Sequence, residues 1–182
     1  ASMASQGRDI KLSKSRVEGY RNFGTKLWNA SRFCEMNDCL KHKKIDLDNL
    51  DCILTNWILG EIIKTDKKIN IYLSEYKFNE ASNEIYHFIW HVFCDWYLEL
   101  IKPYFDSPDL EHTQEVRAMA AFSLKFILTK LHPFMPFITE ELWGSLGFKG
   151  KPLILSDWNF NLPEGEDQGL SLNTDRLIEI IS

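Results

Sequence analysis

The chain has 182 residues, 45% apolar and 13% aromatic, enough to bury the core of one domain and too apolar for disorder over most of its length. Its net charge of −5, taken over the whole chain, argues against a nucleic-acid partner. No apolar run reaches membrane-spanning length and no signal-peptide core stands at the start; Cys34, Cys39, Cys52 and Cys94 form no CxxC pair, which points to reduced thiols in a cytoplasmic protein.

A polar lead-in through Gly7 to Leu12 precedes the first predicted helix, which opens on a capping box from Ser15 to Glu18 and frays near Asn37. At 100° per residue, Val17, Tyr20, Phe23, Leu27, Trp28, Ala30 and Cys34 share the arc expected to face a core. A second helix is expected after Asp46 or Asp48, running through Ile53, Trp57, Ile58, Ile62 and Ile63 toward Tyr72, with Gly60 weakening it. The third, Phe78 to about Tyr104, carries Ala81, Ile85, Phe88, Ile89, Val92, Phe93, Trp96, Tyr97, Leu100 and Ile101 at helical spacing. Trp90 and Cys94 widen its apolar surface, so it reads as the central, most buried element.

Ser107-Pro108 predicts a cap and first-turn proline for a fourth helix through Val116, Met119, Ala120, Phe122, Leu124, Ile127 and Leu131, stopped by His132-Pro133. A short fifth helix spans about Pro136 to Leu146, with Ile138, Leu142 and Trp143 inward and Glu140-Glu141 outward. Beyond the turn at Gly144 to Pro152, Leu153 to Trp158 reads as a short strand, Asn159 to Ser171 as an acidic loop, and Asp175 to Ile181 as a last helix. The expected fold is all-α: an antiparallel bundle of five helices joined by short connections. The chain then divides into a lead-in (1–12), the bundle (13–148), and an irregular or short-strand appendage (149–182).

Opposite the apolar arc of the first helix lie Arg21, Asn22, Thr25, Lys26, Asn29 and Arg32, with Phe33 among them. Guanidinium and ammonium groups meet phosphates, while amides and planar guanidinium groups can hydrogen-bond or stack on unpaired bases. A solvated charged face, with Phe33 packed on a neighbouring helix, is the competing reading. Charge is unevenly placed: residues 8–44 carry ten Lys or Arg against four acids, a local +6, which leaves −11 for the rest. A basic end on an acidic body binds a polyanion locally and orients it.

Other constellations are weaker. His87, His91 and Cys94 could share a face toward zinc, but no fourth ligand follows at a usual spacing. Asp95 and Glu99 form a carboxylate pair with no nucleophile nearby, better read as paired or capped acids. Gly144, Gly147, Gly150 and Lys151 imitate a phosphate loop, yet Pro152 stands where Ser or Thr would bind the metal.

R-V-E-G-Y-R-N-F at 16–23, K-L-W-N-A at 26–30, F-C-D-W-Y-L-E at 93–99 and L-H-P-F-M-P-F-I-T-E-E-L-W at 131–143 resemble the anticodon-binding domain of the valyl-tRNA synthetases. F-N-E-A at 78–81 and Ser156-Asp157-Trp158 resemble their counterparts too, in the same order, whereas Gly24-Thr25 departs from the family's more frequent Cys or Ala followed by Asn. Lys11-Leu12-Ser13-Lys14-Ser15 imitates the signature loop of class I synthetases, but the family carries that loop further upstream, and no H-x-G-H occurs in these residues. The resemblance implies a fragment of an enzyme whose catalytic part, elsewhere in cis, joins valine to its tRNA using ATP and magnesium. A start at Ala1 is compatible with a fragment. The bundle itself would need no cofactor or metal, would not catalyse, and would bind neither DNA nor a membrane.

Its expected partner is the anticodon arm of the tRNA for valine, with adenine in the middle of the anticodon and cytosine third. Arg21, Asn22, Lys26, Asn29 and Arg32 are the expected RNA-binding side chains, with Phe33 as a stacking candidate; Asn29 could instead bond to backbone within the bundle. The equivalent domain of isoleucyl- or leucyl-tRNA synthetases is the rival within the class, and a helical protein-interaction scaffold is the rival outside it.

Overall fold

The computed structural model describes residues 14–42, 44–106, 111–148 and 150–163, and all regular structure among them is helical. Helix α1 spans Lys14–Met36, α2 Ile53–Ser74 and α3 Phe78–His87; α3 runs without a break through a π-helical stretch, Phe88–Tyr97, into α4, Leu98–Asp106. Helix α5 (Thr113–Leu131) and the short α6 (Pro136–Ser145) follow. Counting α3, the π stretch and α4 as one rod, five rods form the all-α bundle that the periodicity predicts. The side chains of Ser15 and Arg16, the Ser107-Pro108 cap and the expected helix at Asp175 to Ile181 lie outside the described residues.

Successive long rods alternate in direction. The Lys68–Glu84 ion pair, 2.8 Å, fastens α2 antiparallel to α3 across the tight turn at residues 75–77, where Tyr76 takes a left-handed φ of 57°. The edge-on contact of Phe88 with Phe126 and the Thr113–Tyr104 hydrogen bond set α5 antiparallel to the α3–α4 rod. Not all connections are short, however. A long crossover, residues 37–52, links α1 to α2, and the regular structure among its described residues is a 3-10 turn at Cys39–Lys41; α1 docks chiefly on the π stretch and α5 rather than on α2.

Helix α2 starts later than its apolar pattern suggests because polar side chains claim the residues before it. Asp46 accepts from its neighbours, Asp48 N at 3.2 Å and Asn49 Nδ2 at 2.8 Å, closing a turn that competes with helix. The carboxylate of Glu115, reaching across from α5, then accepts from Asp51 N and Cys52 N at 3.1 Å each and from the Thr55 hydroxyl. A charged acceptor from another helix thus satisfies amide groups that the start of α2 leaves open.

The π stretch explains why the third apolar pattern is only partly right. Buried residues step by five, Phe88 to Phe93 and Ile89 to Cys94, and then by four to Tyr97 and Leu98. Widening the turn to an i to i+5 repeat rotates the inward face, so Cys94 and Leu98 are buried whereas Trp96 is 46% exposed and Val92 and Leu100 are only partly covered.

The central element is α5, not the third rod. Fourteen of its 19 residues are buried, because α1, α2, the α3–α4 rod and α6 all pack around it. Ala118, Ala120, Ala121 and Ser123 keep its girth small enough for that close approach, and Ser123 returns its hydroxyl to Met119 O at 2.8 Å. Helix α6 sends Leu142 and Trp143 inward as expected, but Glu140 is not a free outward acid. It accepts from Leu153 N at 2.8 Å and Ile154 N at 3.3 Å, which holds residues 153–155 as a 3-10 turn in place of the expected strand. Past that turn, Phe160 packs edge-on against Phe122 and Phe126, and Lys130 donates to Trp158 O at 3.0 Å.

Candidate nucleic-acid interface

Helix α1 presents its two sides unequally. Phe23, Leu27, Ala30 and Cys34 are buried, but Val17, Tyr20 and Trp28, expected on the same inward arc, are 52%, 38% and 40% exposed. Only the middle and C-terminal turns of α1 are sandwiched between other helices, so an arc drawn uniformly along its length overstates burial at its start. Trp28 lies at the edge of the inward arc, and α6 touches α1 one turn earlier: a β-carbon at Gly24 would sit 3.5 Å from Ile138 Cδ1.

Arg21, Asn22, Thr25, Asn29 and Arg32 are all exposed, whereas Lys26 and Phe33 are half-buried. Thr25 returns its hydroxyl to Arg21 O at 3.1 Å, the usual fate of a threonine inside a helix. Arg21, Thr25, Trp28 and Arg32 recur at three- and four-residue steps and so form one outer ridge. That ridge has two guanidinium groups flanking an indole, and Trp28 is the member that periodicity had placed inside.

Asn22, Lys26, Asn29 and Phe33 form the adjoining ridge, which borders the α3–α4 rod. Lys26 Nζ pairs with the Asp95 carboxylate and lies 4.1 Å above the Trp90 ring. Asp95 also receives His91 Nδ1 at 3.3 Å. Phe23, Tyr86 and Trp90 stack at 4.9, 5.7 and 6.4 Å between centroids, giving Lys26 an aromatic wall. Phe33 packs against Phe105 at 5.6 Å, the neighbouring-helix contact that competed with a stacking role. Lys26 and Phe33 are therefore tied into the seam between two rods, while Arg21, Asn22, Asn29 and Arg32 stand in solvent.

Burial orders the thiols. Cys34, Cys39, Cys52 and Cys94 are free and buried; burial raises the Cys94 thiol to about 12, and Cys34 is pushed upward by its hydrogen bond with Cys39 and by burial. His87 and His91 sit at the surface, their rings 5.2 Å apart, while Cys94 turns inward, so the three do not converge on one ion. Asp95 and Glu99 do not form a catalytic pair either: Asp95 serves Lys26 and His91, and Glu99 serves Lys102. Gly147 and Gly150 take positive φ, 66° and 121°, in the turn after α6.

A solvent-facing row of arginine and asparagine on a helix docked by its apolar side suits a polyanion with accessible base edges. Comparison with known proteins bears on which one. The family model for the anticodon-binding domain of tRNA ligase matches residues 55–182. The valine–tRNA ligase of Agrobacterium fabrum is 44% identical over 100% of this chain, that of Bradyrhizobium diazoefficiens 47% over 94%, and that of Caulobacter vibrioides 53% over 78%. The chain spans 16 to 19% of the length of these three relatives. With an all-α bundle among the described residues, a 128-residue match to that model and similarity to such ligases along the whole of this chain, the chain belongs to the family of anticodon-binding domains of tRNA ligases.

Proposed function

We propose that this bundle grips the anticodon arm of the tRNA for valine, on behalf of a longer valine–tRNA ligase that works in the cytoplasm and attaches valine using ATP and magnesium. The observation that carries the reading is the exposed Arg21, Asn22, Asn29 and Arg32 row on a helix whose apolar side is buried against the π stretch and α5. Arginines at the two ends of the row suit phosphates, and the amides between them suit the edges of splayed-out bases. Trp28, between Thr25 and Arg32, adds a face on which a base can stack. Lys26 is held in the seam by its pair with Asp95, which offsets its positive potential, and Phe33 supports the seam from which Asn29 and Arg32 project. No helix among the described residues is long and apolar enough to cross a membrane.

Fluorescence anisotropy of a labelled 17-nucleotide valine anticodon hairpin tests the reading. Changing the middle adenine should weaken binding by about 1 to 3 kcal/mol. Arg21→Ala and Arg32→Ala should each weaken binding and lower the salt slope by about 1 if each meets one phosphate. Asp95→Asn, which releases Lys26 and deletes a nearby negative charge, should strengthen binding and steepen the salt dependence. Equal affinity for every hairpin, unaffected by the arginine changes, would favour the protein-interaction scaffold instead.

A further inference from the structure

The described chain ends on the outer side of α5. Trp158 meets Lys130 and Asn70, and Phe160 packs on Phe126 and Phe122, with Lys125 Nζ 5.8 Å from its ring centre. Residues 158–160 therefore run antiparallel to α5, from its last turns back toward its first, and half-buried Leu162 still packs on the core. Ala118 and Gln114 precede Phe122 at steps of four, so they continue the same side of the helix.

There a cleft of about 710 Å³ opens between the first turns of α5 and the 40–50 crossover. Leu40, Ile45 and Leu50, each only partly covered, and buried Ala118 give it an apolar wall. Its formal charges balance, Lys41 and Lys44 standing against Asp46 and Glu115, and Asn49 Nδ2 is already given to Asp46. What is left uncovered is apolar surface, which favours an apolar occupant.

We infer that residues 164–172 of this chain, which lie outside the described residues, fill the cleft, with Leu170 and Leu172 against its apolar wall. The run Glu164-Gly165-Glu166-Asp167-Gln168-Gly169 holds no apolar side chain, so Leu170 and Leu172 are the first to follow Pro163. Their spacing of two puts both on one side of an extended chain. Reach is ample. Gln114 lies eight residues from Phe122, about 12 Å along the helix, whereas the seven residues from Pro163 to Leu170 span up to about 23 Å. A segment already attached at Phe160 loses less freedom on docking than a separate molecule, which favours it over a second copy or a free ligand. The inference concerns the bundle's own packing and holds whether or not RNA binds.

The 182-residue chain carrying Gln168→Cys is labelled there with a nitroxide, the four native thiols being buried, and paramagnetic broadening is read across the backbone amide resonances. Amides of residues 40–50 and 114–118 should broaden most. Leu170→Ser with Leu172→Ser should abolish that broadening and, without the label, speed amide exchange at residues 40–50 about fivefold while leaving the buried middle of α5 unchanged. Full broadening in the serine variant would overturn the inference, because the leucines would not be the contact. So would broadening spread evenly over the bundle, or centred on the exposed Tyr76 and Phe78 or on Phe137 and Ile154. Broadening that also appears when the labelled chain is mixed with unlabelled, isotopically enriched chain would assign the cleft to a second copy and overturn it too.

Discussion

Tyr97 carries the plainest energetic conflict at the level of single residues. It is fully buried, stacked on Phe93 at 5.9 Å, and its hydroxyl has no hydrogen-bond partner among the described residues; burial pushes its ionisation upward. Because a buried hydroxyl without a partner loses its hydration and regains nothing, Tyr97→Phe should stabilise the bundle by about 1 kcal/mol, measured as an upward shift of the urea midpoint at constant slope. A loss of similar size would reveal a bond the hydroxyl makes. At this scale the candidate site was largely legible: Arg21, Asn22, Asn29 and Arg32 face solvent because charged and amide groups stay wet unless paired. Trp28 was not, because an indole at the margin of an apolar arc is covered or bare according to which neighbour lies beside it. Lys26 and Phe33 depended in the same way on Asp95 and Phe105, residues 69 and 72 positions away in the chain.

Among the elements, the start of α2 depends on a residue that no local rule would nominate. Glu115→Ala removes the acceptor for Asp51 N, Cys52 N and the Thr55 hydroxyl together. Hydrogen bonds to a charged group contribute about 1.5 to 3 kcal/mol each before relaxation and water replacement. A net destabilisation of about 2 kcal/mol is therefore expected in urea, with faster amide exchange confined to the first turns of α2. Uniform exchange acceleration across the bundle would contradict a capping role. Helix existence and type were legible for α1, α2, α5 and α6, since their apolar spacing is the 3.6-residue repeat itself. The π stretch was not, because Phe88 to Tyr97 is apolar on so many sides that a five-residue and a four-residue step fit it equally; contact with α1 and α2 selects between them. The expected strand at Leu153 failed for a related reason, as Glu140 draws its amides into a turn.

Over the whole molecule, Lys130 joins three parts. It is 1% exposed, lies 2.7 Å from Asp66 on α2, donates to Trp158 O in the C-terminal segment, and sits 4.1 Å from the Trp158 ring. Lys130→Met should cost about 3 to 5 kcal/mol by stranding Asp66, and adding Asp66→Leu should recover most of that loss. A double-mutant cycle in urea checks the coupling, and strictly additive costs would contradict it. Alkaline pH should also destabilise the fold. Cys34, Cys94 and Tyr97 have raised ionisation in the folded state, so above the ordinary thiol range of about 8.5 the unfolded chain releases protons the folded one keeps. Stability from the thiols is complete below that range and is lost as pH climbs toward about 12 for Cys94. Lys130, lowered by burial, acts oppositely, gaining stability as pH rises toward its ordinary value, but it is one group against several. Urea midpoints under reductant should therefore fall above about pH 9, and Cys94→Ala should flatten the decline.

By itself the amino-acid order determined that the chain is helical, where most helices lie, which side of α1 is charged, and the family resemblance, because each follows from local periodicity or contiguous motifs. Only the tertiary structure decided that α5 is the central helix, that α1 skips α2 to dock on the π stretch, that Trp28 is left partly exposed and that the crossover and α5 enclose a cleft beyond the C-terminal end of α1. Those outcomes depend on which distant side chains meet, and local spacing does not encode the partner.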